Sequence, residues 1–225
     1  MDNNNESAAP SNDPAFLSAQ EARVLATLME KHLATPKYYP LTPNALTAAC
    51  NQKSSREPVM NLSEGEVRHI INLLEHRNLL KVDSGDRTYR ISHRVKQTFD
   101  LDRSELAVLT VLMLRMPQTL NDILRRTARM VEFGEPSEVQ LVLESLMKRD
   151  RALAVLIPRG PGRREDRYWH TLCGAVPQEP GTRNKDIPIA TDGADERLAR
   201  FEERLDALES KLEEVFQQIG ELRRE

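Results

Sequence analysis

Arginine is the residue type whose clustering suggests a chemistry in this chain. Arg125, Arg126 and Arg129 crowd one short stretch, and Arg159, Arg163, Arg164 and Arg167 crowd another. A guanidinium presents a planar fork of donors that matches a phosphate, so such clusters suit a nucleic-acid backbone. Arg159, Arg163 or Arg164, on a long loop, would have the reach to enter a minor groove. The competing reading pairs several of them with Glu132, Glu135, Glu165 and Asp166 as a solvated charged face.

A polar loop, Asn51-Gln52-Lys53-Ser54-Ser55-Arg56-Glu57-Pro58, is the next candidate. Its amides and hydroxyls favour local turns, and Pro58 restricts Glu57 to extended backbone. Lys53 and Arg56 are expected at its surface, available to phosphate. Tyr39 and Tyr89 are expected to pack against nearby helices rather than to stack on bases.

Enzyme chemistry has little support. His69 and His76 are seven apart, not the four that would let one helix face hold a metal. Glu64 and Glu66 point to different faces, and there is no P-loop or nucleophile elbow. Cys50 lies in an apolar stretch and reads as a small buried residue. No catalytic residue, metal or cofactor is expected.

The elements that would hold these residues occur twice. Leu17, Glu21, Val24, Leu25, Leu28 and Met29 recur 84 positions on as Leu101, Glu105, Val108, Leu109, Leu112 and Met113. Val67, Ile70, Ile71 and Leu74 recur at an offset of 72, and Arg90 and His93 at 77. Ser18 with Glu21, and Ser63 with Glu66, are capping boxes, while Thr42-Pro43 opens a short helix ending near Cys50. In the second copy Asp102 with Glu105, Thr119, and Ser137 with Gln140 take the same places. Strands are expected over 79–82 and 88–91 around an Asp83–Asp86 turn, and again near 153–157 and 167–172. Helix, helix, helix, hairpin is the order of a winged helix-turn-helix.

The expected fold is therefore α+β and mostly helical, with two tandem winged helix-turn-helix domains over 16–97 and 98–173. Residues 1–15 read as a disordered tail and 174–194 as a linker. Over 195–225 every a and d position of four heptads is apolar: Leu198, Leu205, Leu212 and Ile219 at one, Phe201, Leu208, Val215 and Leu222 at the other. That predicts a coiled-coil helix and self-association as a homodimer. The alternative is that the stripe packs on its own chain.

The net charge of −3 conceals a basic centre, since residues 17–173 hold 24 bases against 19 acids. A basic core with acidic ends is compatible with a polyanionic partner. The third helices argue against ordinary groove reading: Glu64, Glu66 and Glu75 accompany Arg68 and Arg77, and Glu138 and Glu144 dominate the later one. With no apolar run of membrane-spanning length, no signal-peptide pattern and only Cys50 and Cys173, a cytoplasmic protein is expected.

Tyr38-Tyr39-Pro40-Leu41-Thr42-Pro43-Asn44-Ala45-Leu46, Ala49–Ser54 and Arg56-Glu57-Pro58-Val59 resemble the bacterial YceH family. So do Leu114-Arg115, Pro117-Gln118-Thr119, Pro161–Glu165, Arg167-Tyr168 and His170. Met116 stands where that family typically has glycine. The resemblance implies tandem winged helices and no assigned activity. Two functional expectations remain: duplex DNA binding through the arginines with Lys53 and Arg56, or docking of another protein.

Overall fold

A capping box starts the first helix, α1 (Ala19–Ala34): Ser18 Oγ accepts from the Glu21 amide, and the Glu21 carboxylate accepts from the Ser18 amide. Pro36 lies just beyond its end and opens a 3₁₀ turn, Pro36–Tyr38. Thr42 caps α2 (Pro43–Cys50), and Ser63 with Glu66 caps α3 (Glu64–His76). Strand β1 (Leu80–Ser84) then pairs antiparallel with β2 (Tyr89–His93), Val82 opposite Ile91. Leu41 adds a third rung by exchanging both backbone hydrogen bonds with Ile91.

A short helix, α4 (Val95–Thr98), leads into the second copy. Helices α5 (Arg103–Leu114), α6 (Leu120–Thr127) and α7 (Pro136–Lys148) precede the antiparallel pair β3 (Ala154–Ile157) and β4 (Arg167–His170). Gln118 bridges Tyr168 as Leu41 bridges Ile91, at the same offset of 77. The structure is a computed structural model and describes residues 17–85, 88–160, 162 and 164–174. The expected tail, the linker beyond Gly174 and the heptad residues Leu198 to Leu222 lie outside the described residues, as does Arg163.

Two local expectations are corrected. Ser137 does not cap α7; Glu135 holds the N-cap position without a side-chain bond, and Pro136 occupies N1. Proline's fixed φ starts the helix there, ahead of the serine. The first hairpin also runs further than its turn residues suggested. Asp83 and Ser84 belong to β1, and the Gly85 amide donates to the Thr88 carbonyl at 3.2 Å.

The repeats share one core. Every residue of α5 from Glu105 to Leu114 is buried, as is α1 from Glu21 to Met29. A helical segment buried on every side must be covered all round, and these two pack on each other. The contiguous apolar cluster accordingly runs from Leu17 to Leu172 through both copies. Backbone bonds fasten it further: Leu17 donates to Leu172 at 2.7 Å, and Glu57 to Leu114 at 2.9 Å.

Matching ion pairs reinforce each copy. Arg77 meets Glu21 at 3.0 Å, and Arg149 meets Glu105 at 2.8 Å. Arg90 and Arg167 donate to the equivalent carbonyls of Pro40 and Pro117, at 3.2 and 2.9 Å. The first copy's extra length goes to an additional turn of α1 carrying His32, to the 3₁₀ turn, and to the loop after α2.

A shared core predicts joint unfolding. Leu25→Ala, in the first repeat, should cost about 2–5 kcal/mol. The fluorescence of the single tryptophan, Trp169 in the second repeat, should lose structure at the same lowered denaturant midpoint as far-UV dichroism. A Trp169 transition left at its wild-type midpoint would show that the repeats fold separately.

Candidate nucleic-acid interface

The loop after α2 is built for packing. The Asn51 side chain clasps both backbone groups of Leu62, donating at 2.8 Å and accepting at 2.8 Å. Arg23 on α1 is 2% exposed and donates to the carbonyls of Pro58 and Cys50. Arg56, expected at the surface, is buried: its Nη atoms reach both oxygens of Glu30, at 3.2 and 2.6 Å, and its Nε donates to Ala49. Its donors are turned inward, so it cannot meet a phosphate without breaking this pair. The reason is tertiary, because Glu30 belongs to α1 and is 26 residues away. Lys53 alone of the two cations is exposed.

The second repeat carries the accessible arginines. Arg125 is solvent-facing on α6 and paired with Asp122 at 2.7 Å. Arg126 is more enclosed, donating to the side-chain oxygen of Gln118. Gln118 is itself buried and held by its own donation to Val111 at 2.9 Å. Arg129 follows α6 and is exposed, as are Arg159 and Arg164 in the β3–β4 loop. In that loop the Asp166 carboxylate accepts from the Arg159 amide at 2.8 Å. Gly162 adopts φ +81°, a left-handed conformation natural to glycine. Arg167 is partly buried and ties β4 to Pro117, so its first task is structural.

The sequence-predicted set thus divides. Arg129, Arg159 and Arg164 offer unpaired guanidiniums among the described residues, Arg125 one that must leave a carboxylate, and Arg126 and Arg167 hold the scaffold beneath them. Such exposed pairs as Arg125 with Asp122 contribute little and exchange readily for another anion.

The third helices match their acidic forecast. On α3, Glu64, Arg68, His69, Asn72, Glu75 and His76 are exposed. On α7, Glu144 accepts from Lys148 at 3.1 Å and from Gln140 at 3.2 Å. Beside α3 lies a groove of about 780 Å³, between the start of α2 and the first hairpin, lined by Asn44, Arg68, Asn72, Glu75, Val82 and Tyr89 among others. Tyr89, expected to pack on the helices, is 57% exposed on its rim. It shares its face of β2 with Ile91 but sits at the hairpin end of the strand, opposite the exposed Ser84.

Two histidines serve the interior. His93 and His170 occupy equivalent places at the ends of β2 and β4, and both are buried. His93 Nε2 lies 2.8 Å from His32 Nδ1, and its backbone amide donates to the Tyr39 hydroxyl at 2.6 Å. Tyr39 stacks on His32 with centroids 4.9 Å apart, and burial pushes its phenol up to about 12. Burial, helped by His32, pulls His93 down to about 3, and burial alone pulls His170 to about 4. Among the described residues no group of three His, Cys, Asp or Glu is placed to hold a metal ion. No described helix is long and apolar enough to cross a membrane.

The model of a family described as "Protein of unknown function, DUF480" matches residues 17–163. A UPF0502 protein of Cellvibrio japonicus is 43% identical over 213 residues, covering 93% of this chain and 95% of that one. One from Pseudomonas fluorescens is 42% identical over 208 residues, covering 88% and 95%. Another, from Geobacter metallireducens, is 42% identical over 192 residues, covering 83% and 87%. The chain belongs to this UPF0502 (DUF480) family, which is the YceH family that its motifs resemble.

Two outcomes check this geometry. Arg56→Ala should destabilise the chain by about 3–5 kcal/mol, as it strands the partly buried Glu30 carboxylate. Lys53→Ala should leave the denaturation midpoint within about 0.5 kcal/mol of wild type. Equal effects would mean that Arg56 is not held as described.

Stability should also fall with acidification. His93 and His170 bind a proton less readily when folded than at their ordinary 6.5, so the unfolded chain takes up more protons below that pH. Their contribution is complete above about pH 6.5 and drains away as pH drops toward 4 and then 3, by up to roughly 1.4 kcal/mol per pH unit for each ring. Urea midpoints measured from pH 7 to 4.5 should decline, and His93→Gln should flatten that decline. An unaltered slope in the variant would count against a buried neutral His93.

Proposed function

We propose that the chain is a tandem winged-helix protein that binds duplex nucleic acid through phosphate contacts made by its second repeat. The twofold order of three helices and a hairpin supports the winged-helix reading, with Leu41 and Gln118 supplying the short third strand. The observation that carries the binding reading is the set of exposed arginines Arg129, Arg159 and Arg164, joined by Arg125. Arg163 belongs to the same sequence cluster. The acidic faces of α3 and α7 keep these helices from lying against phosphates, so contact runs through the α6 end and the β3–β4 loop. A homodimer through the 195–225 heptads would double the contacts and fits a regulator of transcription in the cytoplasm.

A second reading has its own observation. Leu141 on α7 is 67% exposed among Glu138, Gln140 and Glu144. An apolar side chain ringed by acids suits a basic protein segment better than DNA, so α7 is the face for a docking partner.

Fluorescence anisotropy of a labelled duplex tests the first reading. Affinity should fall linearly with salt on logarithmic axes, and an Arg129/Arg159/Arg164 triple alanine variant should reduce that slope by about 2–3, on all sequences alike. Absence of duplex binding at low salt, or a slope unchanged in the variant, would overturn it.

A further inference from the structure

The groove beside α3 lies where the second repeat satisfies its own side chains. Along α3, Arg68, Ile71, Asn72 and Glu75 fall at helical spacing and line the groove. The same positions on α7, 72 residues on, are Gln140, Leu143, Glu144 and Met147. There the polar pair is closed: Gln140 donates to Glu144 at 3.2 Å, and Lys148 pairs with Glu144 at 3.1 Å. On the hairpin, the cross-strand pair Leu156–Tyr168 takes the place of Val82–Ile91, so larger side chains stand at those two positions.

In the first repeat the stripe is left open. Arg68 makes no hydrogen bond or ion pair with any described residue, and the side-chain amides of Asn44 and Asn72 bond to none either. All three line one space of about 780 Å³, together with the exposed ring of Tyr89. That volume lies within the roughly 300–1,000 Å³ of small-molecule sites. Ile71 and Ile91, both buried, supply its apolar floor. Glu75 fixes the walls: its Oε1 accepts from the Val82 amide at 3.2 Å and ties the hairpin to α3. The groove is therefore preformed.

Its chemistry selects an occupant. An open guanidinium takes a phosphate, and an exposed aromatic face stacks on a base. A free asparagine amide presents the donor and acceptor that match N7 and N6 of adenine. Charge limits the number of phosphates. Glu64 and Glu75 stand on the stripe to either side of Arg68, so a strand running along α3 would press further phosphates against carboxylates. A single phosphate meets Arg68 without that cost. We propose that the groove between α2, α3 and the first hairpin binds a free adenine mononucleotide, its base against Tyr89 and its phosphate on Arg68. The site is separate from the arginines of the second repeat and does not rest on their binding a duplex.

Calorimetric titration of the full chain with AMP tests it, with adenosine as the probe that lacks the phosphate. Arg68→Gln should weaken AMP roughly tenfold and leave adenosine unchanged. Tyr89→Ala should weaken both roughly tenfold. Asn72→Glu, which supplies the second repeat's acid beside Arg68, should weaken AMP as well. Tyr38→Ala, at an exposed tyrosine outside the groove, should bind AMP as wild type does, and so should the Arg129/Arg159/Arg164 triple alanine variant. These positions are all exposed, so the variants should keep the wild-type melting temperature without nucleotide. No AMP binding by the wild type, or unchanged affinity in Arg68→Gln or Tyr89→Ala, would overturn the site. Loss of AMP binding in the triple variant would move the nucleotide to the second repeat and overturn it too. A single-stranded oligodeoxyadenylate that binds more tightly than AMP, and is lost in Tyr89→Ala, would overturn the free nucleotide as occupant. AMP binding by a chain that binds no duplex would support this groove while the duplex reading fails.

Discussion

The mutual burial of α1 and α5 is the constraint on which the rest of the structure depends. Over Glu21–Met29 and Glu105–Leu114 neither helix leaves a residue exposed to water, and each closes the other's core. Thr110 shows how complete the enclosure is, its hydroxyl turned back onto the Leu106 carbonyl of its own helix. Packing first helix against first helix fixes the repeats as one body. It also sets the distance between the first repeat's long loop and the end of α5. The exposed arginines of α6 and the β3–β4 loop consequently sit on a rigid base rather than on a module free to swing.

The two copies keep what builds a repeat and differ where they join. The first-helix capping box, the Glu21–Arg77 and Glu105–Arg149 pairs, and the Arg90 and Arg167 ties are preserved in place, whereas the α3 box has no counterpart at α7. Ala107 stands in the second copy where the first has Arg23, the cation that anchors the loop after α2. That asymmetry gives the first repeat a fastened loop that the second lacks.

Features set by neighbours in sequence were legible there. Ser18, Thr42, Ser63, Asp102 and Thr119 all cap helices as their spacing predicts, because capping bonds close within three residues. Features set by distant partners were not. Arg56 reads as a surface cation until Glu30 and the Ala49 carbonyl are brought to it, and Tyr89 reads as a packing residue until the hairpin carries it past the end of the core. The Arg77 and Arg149 correspondence was present at the offset of 72, but an arginine carries no periodicity to announce its carboxylate.

Native-state hydrogen exchange tests the single-body account most directly. Amides in the buried middle of α1 and of α5 should exchange through the same global opening, with equal free energies and equal denaturant dependence. A core amide of α5 that keeps its protection while α1 opens at lower free energy would contradict it, and would return the repeats to independent domains.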